Sequence, residues 1–85
     1  MATTEDIHEP VDVLTIFRQG TIRPVRIRWA GRTHTIDTVQ YEWVTREGTQ
    51  PVRHFAVTLA SGALCELTLH THALRWTLCS VQMDG

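Results

Sequence analysis

The sequence predicts an all-β fold: a small antiparallel meander of five to six strands rolled into a partly open barrel. Three observations carry that prediction. Apolar and polar residues alternate with period two, as in Val25, Ile27 and Trp29 against Arg26 and Arg28, and in Phe55, Val57 and Leu59 against His54, Ala56 and Thr58. Turn-forming residues interrupt the alternation at short intervals, at Gln19-Gly20, Gly31-Arg32 and Ala60-Ser61-Gly62. No stretch sustains a 3.6-residue apolar period, and every connection is short.

Taken in order, residues 1–10 are polar and acidic and end at Pro10, which reads as a mobile acidic N-terminal segment. A single barrel-like domain over residues 11–83 follows. Val11–Phe17, rich in β-branched and apolar residues, forms the first strand and stops at Gln19-Gly20. Pro24 precedes the second strand, where the ring is tolerated at a strand start.

Gly31-Arg32 then reads as a type II′ turn with glycine first. That register sets Trp29 against His34, Ile27 against Ile36 and Arg26 against Asp37. The apolar parity changes after Ile36, so a β-bulge is expected near Asp37-Thr38, with Val39, Tyr41 and Trp43 facing the core. Thr45–Pro51 is a loop by composition. Ala60-Ser61-Gly62 closes a hairpin that pairs Val57 with Cys65 and Phe55 with Leu67. A last turn on Thr71-His72 sets Leu69 against Leu74, Leu67 against Trp76 and Cys65 against Leu78. Cys65 and Cys79 then point to opposite sides of the sheet, which predicts free thiols.

Eighty-five residues make one domain with a small core, better suited to a surface groove or a flat binding face than to a deep enclosed site. The net charge of −1 names no partner, but its distribution is uneven. Residues 1–12 carry four acids and no base, whereas residues 13–36 carry five arginines and no acid. All eight basic residues are arginine. No apolar run approaches the length of a membrane-spanning helix, and the N-terminus lacks the basic start and apolar centre of a signal peptide. A cytoplasmic location with two reduced cysteines is the expectation.

For catalysis, neither a nucleophile elbow nor a phosphate loop nor a paired-carboxylate spacing is present, so no enzyme and no cofactor are expected. The alternative chemistry is a metal-binding or thiol-based function around His70, His72 and Cys79, although no Cys-x-x-Cys or His-Glu-x-x-His spacing supports it. The candidate binding residues are Arg23, Arg26, Arg28 and Arg32, a basic stripe opposite Val25, Ile27 and Trp29. A protein partner is expected there, with nucleic acid second, because Trp29, Trp43, Phe55 and Trp76 all fall on expected core positions and exposed aromatics to stack on bases are missing. The competing reading is a solvated face with Arg26 paired to Asp37. A further alternative is a self-associating structural β-domain, paired through an unpaired edge at Val11–Phe17.

The pattern resembles a small, uncharacterised bacterial domain family found free-standing and at the C-terminus of ImuB-type Y-family DNA-polymerase-like proteins. The matching residues are Glu9-Pro10-Val11, Pro24, Trp29-x-Gly31-Arg32, His34-x-Ile36-x-x-Val39-x-x-x-Trp43, Arg53-x-Phe55-x-Val57, Gly62, Glu66-Leu67 and Arg75-Trp76-x-Leu78. Val44 stands where several members carry a second aromatic. The resemblance implies a non-catalytic accessory domain linked to DNA-damage tolerance, since the polymerase-like chemistry belongs to other domains.

Overall fold

The computed structural model describes residues 2–84. It contains six strands: β1 (Ala2–Arg18), β2 (Thr21–Trp29), β3 (Arg32–Glu47), β4 (Gln50–Leu59), β5 (Leu64–His70) and β6 (Arg75–Asp84). Each pairs antiparallel with the next, and β6 returns to β1, so one sheet closes in a ring. The all-β meander is the predicted one. No helix among the described residues is long and apolar enough to cross a membrane.

Closure depends on β1, which serves two neighbours in turn. Its first half pairs with β6, from Ala2↔Asp84 to Val11↔Trp76, and its second half with β2, from Asp12↔Arg28 to Arg18↔Thr21. Residues 2–10 are therefore strand, where the sequence suggested a free lead-in, and the domain begins before residue 11. Met1 lies outside the described residues. The reason is physical: β6 needs backbone partners along this edge, and Ile7 and Val11 pack against the core. A register shift between Asp6 and Glu9, with His8 at φ 53, bends the strand around the ring.

The core comes from alternate positions of the later strands. Phe55, Val57, Leu59, Cys65, Leu67, Leu69, Trp76, Leu78 and Val81 are all buried, joined by Ile27. Phe55 and Trp76 meet at a tilt, with ring centroids 5.3 Å apart. The β4–β5 register is the predicted one, Val57↔Cys65 and Phe55↔Leu67, with Gly62 at φ 96 in the turn.

Two hairpin registers differ from expectation by two residues. The β2–β3 turn is Ala30-Gly31, both left-handed (φ 54 and 74), so Ile27 faces His34 and Trp29 faces Arg32. Two consecutive positive φ values make this the mirror-image type I′ geometry that matches strand twist. Arg26 consequently faces Thr35, and the expected Arg26–Asp37 pair does not form. Between β5 and β6 the loop is Thr71–Leu74, which sets Leu69 against Trp76 and leaves Leu74 exposed. A two-residue slip preserves side-chain parity, so apart from Leu74 both hairpins keep their expected core faces near the turns; a bulge at Cys79 then sets Cys65 against Val81 where Leu78 was expected.

β3 bulges twice. The shift between Ile36 and Thr38 is the expected one at Asp37, and a second lies between Val39 and Tyr41, at Gln40. The second bulge reverses parity once more. Tyr41 and Trp43 therefore turn outward, opposite Ala56 and His54, rather than into the core. Beyond them the predicted Thr45–Pro51 loop is mostly strand, with only Gly48-Thr49 as the turn. β2 accompanies β3 from Arg32 to Thr35; over Ile36–Glu47, β3 pairs with β4 alone.

Candidate interaction surface

The outer face of the β1–β2 hairpin gathers most of the predicted binding residues. Ile27 is buried, so its neighbours Arg26 and Arg28 point outward, opposite Leu14 and Asp12. Arg23 lies three residues before Arg26 and would ordinarily face the other way. A bulge at Val25, where Leu14↔Arg26 gives way to Thr15↔Pro24, restores it to the outer face opposite Ile16. The same bulge accommodates Pro24 inside the strand and buries its ring.

Arg18, opposite Thr21, completes the row; the Gln19-Gly20 turn fixes its parity. Sequence reasoning missed it because it stands at the strand's end, where face depends on turn type. Arg32 goes elsewhere. It pairs with Trp29, which packs toward the core, so it stands at the ring's end and off the outer row. The structure thus joins Arg23, Arg26 and Arg28, adds Arg18 and separates Arg32.

Leu14 and Ile16 lie among these arginines with 58% and 46% of their surface exposed. Asp12 is the one acid opposite the row, yet it makes no ion pair: among the described residues the only one joins His70 and Glu47. An open depression of about 360 Å³ is lined by Asp12, Leu14, Arg26, Arg28 and Thr33 together with Val13 and Ile27. It adjoins a second cleft of about 450 Å³ that shares Asp12 and Arg28 and reaches Leu74, Arg75 and Trp76. Beside that cleft, Trp29 Nε1 donates to Glu9 Oε2 at 2.8 Å and ties β1 to the β2–β3 turn.

His70, His72 and Cys79 are not brought together. His70 Nε2 meets Glu47 Oε1 at 3.0 Å, and both histidines border a small cleft with Pro51 and Val52. Cys79 instead sits in a polar ladder on the outer face of β3 to β6. Its Sγ is 2.9 Å from Thr68 Oγ1, which is 3.2 Å from His54 Nδ1, while His54 Nε2 is 2.6 Å from Thr45 Oγ1. Among the described residues no three His, Cys, Asp or Glu side chains cluster as a metal site would require.

Both cysteines are free, Cys65 inside the ring and Cys79 outside it. Burial pushes the Cys65 thiol up to about 11. Burial also raises Cys79; the Thr68 hydrogen bond pulls it back, and Glu66 adds to the rise through its charge and a hydrogen bond. Both environments favour the thiol over the nucleophilic thiolate.

Comparison of the chain with known protein families, with curated proteins and with solved structures finds no match.

Proposed function

We propose that this chain is a non-enzymatic interaction module that acts without a cofactor and engages an acidic protein segment through the outer face of β1 and β2. The observation that carries the reading is a row of arginines that form no ion pair among the described residues, set directly against exposed aliphatic side chains: Arg26 beside Leu14 and Arg23 beside Ile16. Guanidinium groups take carboxylates in bidentate pairs, while Leu14 and Ile16 supply apolar area that a phosphate backbone would not use. That second feature favours protein over nucleic acid. Arg32, at the ring's end, serves at the margin of the contact. The family resemblance of the sequence supports a role in DNA-damage tolerance, as an accessory part of a larger assembly.

Fluorescence anisotropy at low salt tests the reading with two probes: a labelled peptide alternating Glu and Leu, and labelled single- and double-stranded DNA. The expected result is peptide binding that weakens with added salt and is lost in the Arg26→Glu, Arg28→Glu variant. Absence of peptide binding, or equal binding by the folded variant, overturns it. Binding of DNA but not peptide would reassign the face to nucleic acid.

A further inference from the structure

An unpaired edge of this ring lies on β3. Asp12–Arg18 of β1 pair with β2, and β1 before them pairs with β6. The edge expected at Val11–Phe17 is thus in use on one side. β3 has β2 and β4 as its only close neighbours among the described elements, and β2 leaves it at Thr35. The β2–β3 ladder ends at Arg26↔Thr35, so the distal half of β3 has no paired strand on that side.

The two bulges divide this edge. Asp37 and Gln40 break its regularity, which blocks pairing with another strand over Ile36–Gln40. From Tyr41 to Glu47 the ladder with β4 runs without a shift, Tyr41↔Ala56 through Glu47↔Gln50. This regular segment carries three apolar side chains with substantial exposure, Tyr41 at 72%, Val44 at 55% and Trp43 at 39%. An exposed, regular, partly apolar edge is a template for a further strand.

We infer that the further strand is the same segment of a second copy, paired antiparallel about a two-fold axis. The charge pattern selects this occupant. Full antiparallel overlap of Tyr41–Glu47 with itself places Val44 on the axis, Trp43 opposite Thr45, and Glu42 opposite Arg46 twice over. Both opposite-charge pairs are cross-strand neighbours, and both flank the apolar contact of Val44 with its twin. A shift that centres the pairing on Glu42 would set that carboxylate against itself and Asp37 against Glu47, so the symmetric register is also specified electrostatically. Among the described residues Glu42 and Arg46 make no ion pair. The pairing joins two rings into a continuous sheet through β3, and it leaves the arginine face of β1 and β2 free.

Sedimentation equilibrium on the full chain tests this. The wild type forms a dimer in the micromolar range. Glu42→Arg and Arg46→Glu each turn both cross-strand pairs into like-charge contacts and weaken dimerisation by about tenfold or more. Mixed one to one, these two variants regain both attractive pairs and form a heterodimer of wild-type affinity. Circular dichroism of each variant establishes that the fold is retained. A wild type that stays monomeric at millimolar concentration overturns the inference. So does a charge reversal that leaves the folded protein dimeric, or a mixture that fails to pair.

Discussion

Trp43 lies flat on His54, with the two ring planes 7° apart and their centroids separated by 5.2 Å. The pair caps the outer face of the sheet where β3 meets β4, and the imidazole beneath the indole is held at both nitrogens by Thr45 and Thr68. Stacking on a hydrogen-bonded ring fixes Trp43 more firmly than its partial exposure would suggest. The ladder continues to Cys79 and so spans four strands through side chains alone.

That ladder predicts a stability cost out of proportion to its exposure. His54→Ala removes the platform of Trp43 and one partner of the buried Thr68 hydroxyl. The expected loss is about 1–2 kcal/mol in urea denaturation at unchanged slope, with a red shift in Trp43 emission as the indole becomes wetter. A variant as stable as the parent would show that the ladder is only a solvated arrangement.

The physical features that were legible in the sequence are those that parity controls. Phe55, Val57, Cys65 and Leu67 could be paired in advance because Gly62 leaves one good geometry for the turn between them. The β2–β3 turn was less determined. Gly31 suits either of two turns, and choosing Ala30-Gly31 requires a non-glycine residue in the left-handed region, which local preference disfavours. The error was two residues, so the core face survived while the cross-strand partners changed. Bulges hide more thoroughly. Gln40 and Val25 are ordinary strand residues, yet each reverses everything beyond it; one turned Trp43 outward, and the other put Arg23 in line with Arg26. Arg26 and Arg28 were legible as an outer pair, whereas the company of Arg18 and the separation of Arg32 followed from turn geometry that local sequence leaves open.

The β2–β3 turn offers a stabilising substitution. Ala30 sits at φ 54 with an unbranched side chain that gains nothing there. Asn tolerates the left-handed region better and, followed by Gly31, completes the preferred type I′ pair. Ala30→Asn is expected to stabilise the fold by about 0.5–1 kcal/mol, raising Tm by several degrees for a chain of this size. Differential scanning calorimetry checks it, and an unchanged or lowered Tm would count against the turn assignment.

The buried Cys65 thiol predicts a loss of stability in alkali. Cys65 ionises near 9.0 when unfolded and near 11 when folded, so the native state holds its proton while the unfolded chain releases it. The contribution is fully present below pH 9 and disappears as pH rises from 9 through 11, because the unfolded chain then binds fewer protons than the native one. About 2–3 kcal/mol is at stake over that interval. Cys79 is raised as well and acts in the same direction. Cys65→Val, close in volume, is expected to flatten most of the decline in denaturation midpoint between pH 9 and 11. An equally steep decline in that variant would assign the alkaline instability to other groups.

The first half of β1 gives the most severe prediction, because its sequence looks dispensable. Residues 2–10 carry three acids, and residues 4–10 are mostly exposed, but the segment pairs along β6 and places Ile7 against the core. Glu9 also accepts the Trp29 indole hydrogen bond beside the β2–β3 turn. Removing residues 2–10 strips β6 of one partner strand and opens the ring along Leu78 and Val81, both buried in the intact fold. An exposed apolar edge of that kind pairs with other chains, so the truncated protein is expected to lose cooperative unfolding and to aggregate. Glu9→Ala isolates the smaller term: it leaves the strand and deletes one charge-assisted hydrogen bond, with an expected cost of about 1 kcal/mol. Size-exclusion chromatography and thermal denaturation of the two variants separate the contributions. A truncated chain that remains a folded species with the parent's Tm would show that residues 2–10 are only a lead-in and that the ring does not need them to close.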